Sequence, residues 1–215
     1  RLLRAMDRLL AIKKQAEPAI AEKFLSLFDR QVDLVFYDIT STYFEGDRSI
    51  GEDDIRRYGY SRDGRFDRRQ ISIGLVMTRD GIPLCHHVFP GNTVDKATVA
   101  GVVRDLKSRF DLCNVIFVGD RGMLSDDNLE TILDEKMGFI VAHPLRRSQI
   151  AAAVIAKLGS RFDRTSEEEQ FLSEERTSVR FVLAYSPKIA RAVGKEMQAR
   201  LSRADGFVAD CLRKL

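Results

Sequence analysis

Cysteine is scarce in this sequence, and long apolar runs are missing from it. Its three cysteines, Cys85, Cys113 and Cys211, lie far apart and form no Cys-x2-Cys pair. This spacing argues against a disulfide framework or a zinc knuckle and favours a reducing compartment. No apolar run approaches the roughly 20 residues that span a bilayer, and no segment has the pattern of a signal peptide. We therefore expect a cytoplasmic protein without a membrane partner.

The composition is that of a folded domain with a well-solvated surface. Hydrophobic residues make up 44% of the 215 residues and charged residues 31%, while the net charge of +3 decides little by itself. This length suits one large domain or one and a half. Because the sequence starts at Arg1 without a methionine, we expect it to be a piece of a longer protein.

The hydrophobic periodicity predicts a mixed α/β order. An amphipathic helix covers 1–16, Pro18 is expected to break it, and a second helix follows before a strand within 34–46. A long polar connection leads to a hairpin of strands with Asp80-Gly81 at its turn. A turn at 90–93, a helix, a strand at 115–119, a helix with Ser125 as N-cap and Gly138 as its end, and a strand at 139–143 complete the pattern.

The sequence after Pro144 is less regular. We predict a helix at 150–158, a solvated acidic segment at 165–176, a strand at 179–185 and a helix that begins with Pro187. The expected divisions are therefore a helical lead-in at 1–30, a core at 31–144 and a further region at 145–215.

An aspartate lies in the middle of the first predicted strand. Asp38 shares one face of that strand with Phe36 and Thr40, and Asp120 directly follows the strand at 115–119. A helical crossover favours parallel pairing of these two strands, which would make Asp38 and Asp120 neighbours at one edge of the sheet. Two carboxylates there call for a counter-charge, and oxygen ligands suit Mg²⁺ or Mn²⁺. The alternative is that each aspartate is only a turn former or a helix cap.

Three segments carry a family resemblance. They are FYDITSTYFEG, GYSRDGRFDRRQISIGLVMTRDGIPLCHHVFPGNTVDKAT and VIFVGDRGMLSDDNL. In this order and spacing they resemble the catalytic domain of insertion-sequence transposases of the DDE class over roughly residues 30–190. The resemblance implies an RNase H-like sheet of five strands, with antiparallel β1-β2-β3, parallel β4 and β5, flanking helices and an α+β insertion. It also implies Asp38 as the first catalytic acid and Asp120 as the second, with Met123 where an aromatic residue is usual.

The third acid of that family is not recognisable in this sequence. The resemblance leads us to expect Tyr-x2-Arg-x3-Glu-x6-Lys on a late helix, and none of Glu169, Glu174, Glu175 and Glu196 has these neighbours. We expect residues 145–215 to be the insertion and the missing glutamate to lie beyond Leu215.

An arginine-rich stretch at 55–70 is the candidate DNA-binding segment. Five arginines are assigned to DNA contact here: Arg62, Arg65, Arg68, Arg69 and, next to the second acid, Arg121. Arginine forks bind phosphates, and the interleaved Tyr58, Tyr60 and Phe66 can stack on unpaired bases. The alternative is a mobile solvated loop whose arginines pair with acidic neighbours: Glu52, Asp53, Asp54, Asp63 and Asp67. His86 and His87 point to opposite faces of a strand, so we assign them packing or hydrogen-bonding roles.

The resemblance implies cleavage and strand transfer at transposon ends, with two Mg²⁺ or Mn²⁺ ions in the complete enzyme. Double-stranded DNA is the expected partner, and a homodimer on DNA the expected assembly. Because the third acid is missing, we expect this chain alone to be inactive. A non-catalytic DNA-binding or regulatory remnant of a transposase is the alternative, and an unrelated metal-dependent nuclease is a third.

Overall fold

The computed structural model describes residues 2–28, 31–46, 51, 53–112, 115–123, 125–145, 148–176 and 179–212, with side chains as far as residue 207. The chain forms two compact units, Arg1–His143 and Pro144–Leu215. No helix in the described ranges is long and apolar enough to cross a membrane.

The first unit contains a five-stranded mixed sheet. Its elements in chain order are α1 (Leu2–Leu27), β1 (Leu34–Tyr43), β2 (Gln70–Thr78), β3 (Pro83–Pro90), α2 (Lys96–Phe110), β4 (Ile116–Gly119), a 3₁₀ turn (Arg121–Met123), α3 (Asp126–Asp134) and β5 (Gly138–Val141). The strand order is β3-β2-β1-β4-β5. β1, β2 and β3 pair antiparallel, whereas β4 pairs parallel with both β1 and β5. The predicted RNase H-like sheet is confirmed.

One face of the sheet and one stripe of α2 form the hydrophobic core. In β1 the residues Val35, Tyr37 and Ile39 are buried, while Phe36, Asp38 and Thr40 alternate with them and are exposed. The buried residues of α2 recur every three or four positions, as expected of a helix with one apolar face: Val99, Val102, Val103 and Leu106. Burying each of these aliphatic side chains stabilises the fold by about 1.5–3 kcal/mol.

The helix α1 continues through Pro18, so the prediction that this proline ends the first helix is wrong. Proline removes one backbone hydrogen bond, to the carbonyl of residue 14. Because Lys14 is exposed, water can replace that bond. Lys13 and Glu17 before the proline bond to β3, and Ala21 after it is buried in the core, so the helix is held against the unit on both sides.

Side chains of α1 cover the open edge of the sheet at β3. Lys13 Nζ donates to the carbonyl of His86 at 2.5 Å, and the His86 N–H donates to Glu17 Oε1 at 3.3 Å. Unpaired backbone groups of an edge strand invite association with other strands. Lys13 and Glu17 therefore satisfy backbone groups that this edge would otherwise expose.

The predicted turns and caps are largely confirmed. The hairpin turn at Asp80-Gly81 forms with Gly81 at φ +78°, and the Ser125 side chain accepts from the Asn128 N–H as the N-cap of α3. The prediction that Gly138 ends α3 is wrong, because Gly138 begins β5. Lys136 adopts the left-handed conformation at φ 60° instead, and the Met137 N–H bonds to the Ile132 carbonyl at 3.0 Å. Burial of both Met137 and Ile132 favours this helix end despite the lysine.

The second unit combines helices with a two-stranded antiparallel sheet. Its elements are α4 (Gln149–Leu158), a 3₁₀ turn (Gly159–Arg161), β6 (Gln170–Arg176), β7 (Val179–Tyr185) and α5 (Pro187–Leu212). The prediction of a solvated segment at 165–176 is wrong for Gln170–Arg176. Pairing with β7 makes this polar stretch a strand, and Glu174 on its half-buried face is neutralised by Arg176 at 2.8 Å and Lys157 at 3.1 Å.

Candidate metal-binding site and DNA interface

The register of β1 and β4 determines where the two aspartates lie. Val35 pairs with Phe117 and Phe36 with Val118 in parallel. Continuing this register by two residues sets Asp38 level with Asp120 on the neighbouring chain segment. Both residues are exposed, because Asp38 is on the outward face of β1 and Asp120 directly follows β4. The presence of an aspartate in a strand of otherwise buried composition therefore carries no burial cost.

Each of the two carboxylates accepts one local backbone hydrogen bond. Asp38 Oδ1 accepts from the Ile39 N–H at 2.8 Å, and Asp120 Oδ1 accepts from the Gly122 N–H at 2.9 Å. The second of these bonds is the turn contact that the alternative interpretation of Asp120 predicts. A carboxylate has two acceptor oxygens, so one such bond orients the group and leaves it able to take a further ligand.

Asp95 is a third carboxylate at this place, and the sequence analysis missed it. A Cβ at Gly122 would lie 3.3 Å from Asp120 Oδ1 and 3.5 Å from Asp95 Oδ2, so the two carboxylates flank the same glycine. Asp95 Oδ2 also accepts from Arg62 Nη2 at 2.9 Å. The only sign in the sequence was the position of Asp95 directly before α2, where an aspartate is usually a helix cap.

A buried tyrosine connects β1 with the start of α2 beneath these carboxylates. Tyr37 Oη donates to Thr98 Oγ1 at 2.8 Å, and Thr98 Oγ1 donates to the Asp95 carbonyl at 2.7 Å. Burial raises the pKa of Tyr37 to about 12, and the negative charges of Asp95 and Asp38 add to this effect although the bond to Thr98 opposes it. The fields of Asp95 and Asp38 thus both reach one buried hydroxyl.

The exposed aspartates do not form a closed three-ligand cage. In the described part of the chain, three histidine, cysteine or acidic ligand atoms lie within 4.8 Å of one another only at Cys85, His87 and Asp105. The set around Asp120 is an open arrangement of oxygen donors, which is compatible with a cation that retains waters.

Hydrogen bonds tie the arginine-rich stretch to the sheet. Arg57 and Gln70 exchange backbone bonds of 3.0 and 2.9 Å. The Gln70 side chain, only 1% exposed, donates from Nε2 to the carbonyls of Tyr60 at 2.8 Å and Gly91 at 3.0 Å. Gly59 and Gly91 pack so closely that a Cβ on Gly59 would lie 2.0 Å from the Gly91 oxygen. Residues 57–60 are therefore held against the sheet and Gly91 by hydrogen bonds and close packing, which the alternative of a mobile solvated loop did not foresee.

The predicted DNA-binding arginines have local partners in this structure. Arg65 pairs with Asp67 at 2.9 Å and lies 3.6 Å from Glu45, and Arg68 lies 3.3 Å from Asp67 and 3.7 Å from Glu45. Arg69 stacks over the Tyr58 ring at 5.4 Å, Arg62 pairs with Asp95, and Arg121 is exposed in the turn after Asp120.

The alternative interpretation of local charge pairing is thus partly correct. It foresaw Asp67, and also Asp54, whose bidentate pair with Arg56 lowers the pKa of that carboxyl to about 2. It missed Glu45 and Asp95, whereas Glu52 lies outside the described residues. The arginines nevertheless reach the surface beside exposed aromatic rings: Tyr58, Tyr60 and Phe66.

A sequence profile described as "Transposase DDE domain" matches residues 33–188, which is more than half of the chain. The chain belongs to the DDE transposase family. A search of curated proteins finds no match.

Solved transposase structures share low similarity with this domain. The Mos1 transposase paired-end complex with left transposon end aligns with 14% identity and a TM-score of 0.37 over 67% of this chain and 47% of the Mos1 chain. The piggyBac transposase synaptic complex with hairpin DNA aligns with 12% identity and a TM-score of 0.42 over 71% of this chain and 32% of that one. The chain therefore spans about half of the Mos1 transposase and about a third of the piggyBac transposase.

None of the four glutamates considered for the third acid of the transposase domain gains support from its position. Glu174 and Glu175 lie on β6, and Glu169 directly precedes that strand. Glu196 is on α5, where its carboxylate accepts from Arg200 at 2.5 Å. The expected helix-borne glutamate with its tyrosine and arginine neighbours remains unassigned.

The close packing of Gly91 predicts that an added methyl group loosens the arginine-rich stretch. In Gly91→Ala the new Cβ meets the Gln70 carbonyl oxygen at 2.0 Å and the Arg57 oxygen at 2.6 Å, both of them backbone atoms. We expect a loss of about 1–3 kcal/mol in the free energy of unfolding and faster trypsin cleavage after the arginines of 56–69. Urea titration and limited proteolysis with mass spectrometry measure these effects.

Gly101→Ala is the matched control for this experiment. No atom lies within 4 Å of its added Cβ, and alanine is the better helix former within α2. Equal cleavage rates and equal stabilities for the two variants would contradict the interpretation that Gly91 locks the loop.

Proposed function

We propose that this DDE transposase domain takes part in metal-dependent DNA cleavage and strand transfer at transposon ends, with Asp38 and Asp120 as its catalytic carboxylates. The observation that supports the proposal is the parallel register of β1 and β4, which, continued by two residues, brings position 38 level with position 120 just beyond the end of β4. Membership of the family supplies the class of reaction.

The donor chemistry of the two carboxylates fits Mg²⁺ or Mn²⁺. Both residues are exposed and offer oxygen atoms only, which hard divalent cations prefer. In the proposal Asp38 and Asp120 would hold the metal ions of the complete enzyme. When bound, such ions neutralise the phosphate and lower the pKa of the attacking water. The Ile39 and Gly122 N–H groups orient Asp38 and Asp120 before DNA arrives.

The arginine-rich stretch supplies the proposed phosphate contacts. Arg62, Arg65 and Arg68 exchange their carboxylate partners for phosphate oxygens, which accept the same forked hydrogen bonds. Arg69 and Arg121 complete the set beside the exposed aromatic rings. The anchoring of Arg57 and Tyr60 through Gln70 holds this surface next to Gly91 and hence near the start of α2.

Mn²⁺ titration tests the metal site directly. We expect the wild-type chain to bind Mn²⁺ and Asp38→Asn to lower the affinity at least about tenfold, because an anionic ligand is replaced by a neutral amide. Asp7→Asn on α1, which removes an equally exposed carboxylate elsewhere, should leave the affinity unchanged. Electron paramagnetic resonance of free Mn²⁺ measures both. A chain that binds DNA while Asp38→Asn does not change its Mn²⁺ affinity would favour the non-catalytic DNA-binding module.

The chain alone should have little or no cleavage activity. Two carboxylates without the third acid hold a second ion poorly, so we expect no nicking of DNA that carries transposon ends in the presence of Mg²⁺. The measurement is gel analysis of end-labelled DNA with the purified chain. Nicking by the wild type that is lost in Asp120→Asn would overturn this expectation and show that the two acids suffice.

Replacing Arg68 and Arg69 should weaken DNA binding and reduce its salt dependence. Each phosphate contact contributes about 0.9 to the slope of log K against log salt concentration, so Arg68→Ala/Arg69→Ala should reduce the slope by about 2. Arg200→Ala/Arg203→Ala on α5 removes the same charge elsewhere and serves as the control. Fluorescence anisotropy over a range of KCl concentrations gives both slopes. An unchanged slope for the Arg68 and Arg69 variant would rule out their role as phosphate ligands.

A further inference from the structure

A second group of potential ligands lies away from Asp38 and Asp120, between β3 and α2. Cys85 and His87 are two positions apart on β3, so their side chains share one face of the strand. Asp105 on α2 meets them there. Cys85 Sγ lies 3.7 Å from His87 Nε2, which lies 3.3 Å from Asp105 Oδ2. All three ligand atoms are within 4.8 Å of one another.

Two of these separations are close to the edges of a zinc coordination tetrahedron, and the third is at most 4.8 Å. With Zn–S about 2.3 Å and Zn–N and Zn–O about 2.0 Å, tetrahedral angles place sulfur and nitrogen about 3.5 Å apart and nitrogen and oxygen about 3.3 Å apart. A direct hydrogen bond explains the contact between His87 and Asp105. It does not explain why the buried thiol of Cys85 also lies within 4.8 Å of both ligand atoms.

We propose that Cys85, His87 and Asp105 bind one Zn²⁺ ion and leave its fourth position to water. A thiolate, an imidazole and a carboxylate are the donors that zinc prefers, whereas the oxygen-only set at Asp38 and Asp120 suits Mg²⁺ or Mn²⁺. On binding, the Cys85 thiol gives its proton to solvent and forms the Zn–S bond. The side chains of His87 and Asp105 are 18% and 23% exposed, which gives the ion a path from solvent.

Arg109 and Glu17 hold the Asp105 carboxylate in position through a chain of hydrogen bonds. Arg109 donates to Asp105 from Nε at 2.6 Å and from Nη2 at 2.5 Å, and its Nη1 donates to Glu17 at 2.8 Å. When the ion binds, Asp105 Oδ2 exchanges its Nη2 contact for zinc, while Oδ1 keeps the Nε bond. Hydrogen bonding of this kind fixes ligating carboxylates in metal sites.

A network of ion pairs without metal is the competing interpretation. Arg109 and Lys13 already neutralise Asp105 and Glu17, and burial raises the pKa of Cys85 to about 12, so the free thiol stays protonated. If the cluster contains only these ion pairs, Zn²⁺ will not bind there. Substitution of Cys85 will then leave the Zn²⁺ affinity of the chain unchanged. Metal titration separates the two interpretations.

The experiment is titration of the purified chain with Co²⁺, followed by absorption, and then with Zn²⁺ in competition with a chelator. We expect one ion per chain with a thiolate-to-metal charge-transfer band. Cys85→Ser should abolish the band, and both Cys85→Ser and His87→Ala should lower the Zn²⁺ affinity at least about 100-fold, since loss of an outer-shell partner alone costs 10–100-fold. Cys113→Ser, Cys211→Ser and His86→Ala are matched controls that should retain both properties.

Three results would overturn the proposal. The first is the absence of a charge-transfer band in the wild type with equimolar Co²⁺, and the second is a wild-type affinity in His87→Ala. The third is loss of the band in Asp38→Asn, which would place the ion at the other site. Because Cys85 is buried, far-ultraviolet circular dichroism must show that Cys85→Ser is folded. His87→Ala, at a half-buried position, decides the question if it is not.

Discussion

The parallel pairing of β1 with β4 is the constraint on which the rest of the candidate active site depends. It brings together two short segments that are far apart in the sequence and fixes which residues face each other. A shift of one residue in this register would turn one partner to the opposite face of the sheet. The deeply buried Val35 and Phe117, which pair in this register, make such a shift costly because either side chain would leave the core. Hydrophobic burial beneath the sheet thus sets the position of carboxylates above it.

Close packing of backbone atoms, rather than contacts between large side chains, holds the arginine-rich stretch near Asp38 and Asp120. Gln70, Gly59 and Gly91 bring the arginine-rich stretch against the turn that precedes α2. Asp95 then joins Arg62 at the start of that helix, and the Tyr37–Thr98 hydrogen bond fixes the helix to β1. A polar segment without regular secondary structure is held beside the carboxylates in this way, and its arginines pair with carboxylates there.

The sequence predicted features that depend on local alternation and missed those that depend on distant partners. The alternation in β1 correctly predicted that Asp38 shares a face with Phe36 and Thr40, and the glycine turn at 81 and the Ser125 cap followed from local chemistry. The strand at Gln170–Arg176 was missed because its polar residues become a strand only through β7 and the neutralised Glu174. The expected break at Pro18 failed for a similar reason, since α1 contacts β3 before the proline and is buried at Ala21 after it. Asp95 was missed because only the fold brings it beside Gly122 and Asp120.

The helix α2 contributes Asp105 to the proposed zinc site and begins beside the proposed Mg²⁺ or Mn²⁺ site. Asp95 directly precedes its first turn, near Asp120, and Asp105 lies ten residues further along, beside Cys85 and His87. At about 1.5 Å per residue these two positions are about 15 Å apart along the helix axis, so no ligand can serve both sites. Their chemistry also differs, because one set offers exposed oxygen atoms only and the other includes a buried thiol and an imidazole. A hard cation and zinc would therefore each be directed to its own set by donor type, while the rigid, buried stripe from Val99 to Leu106 holds the two sets at a constant distance.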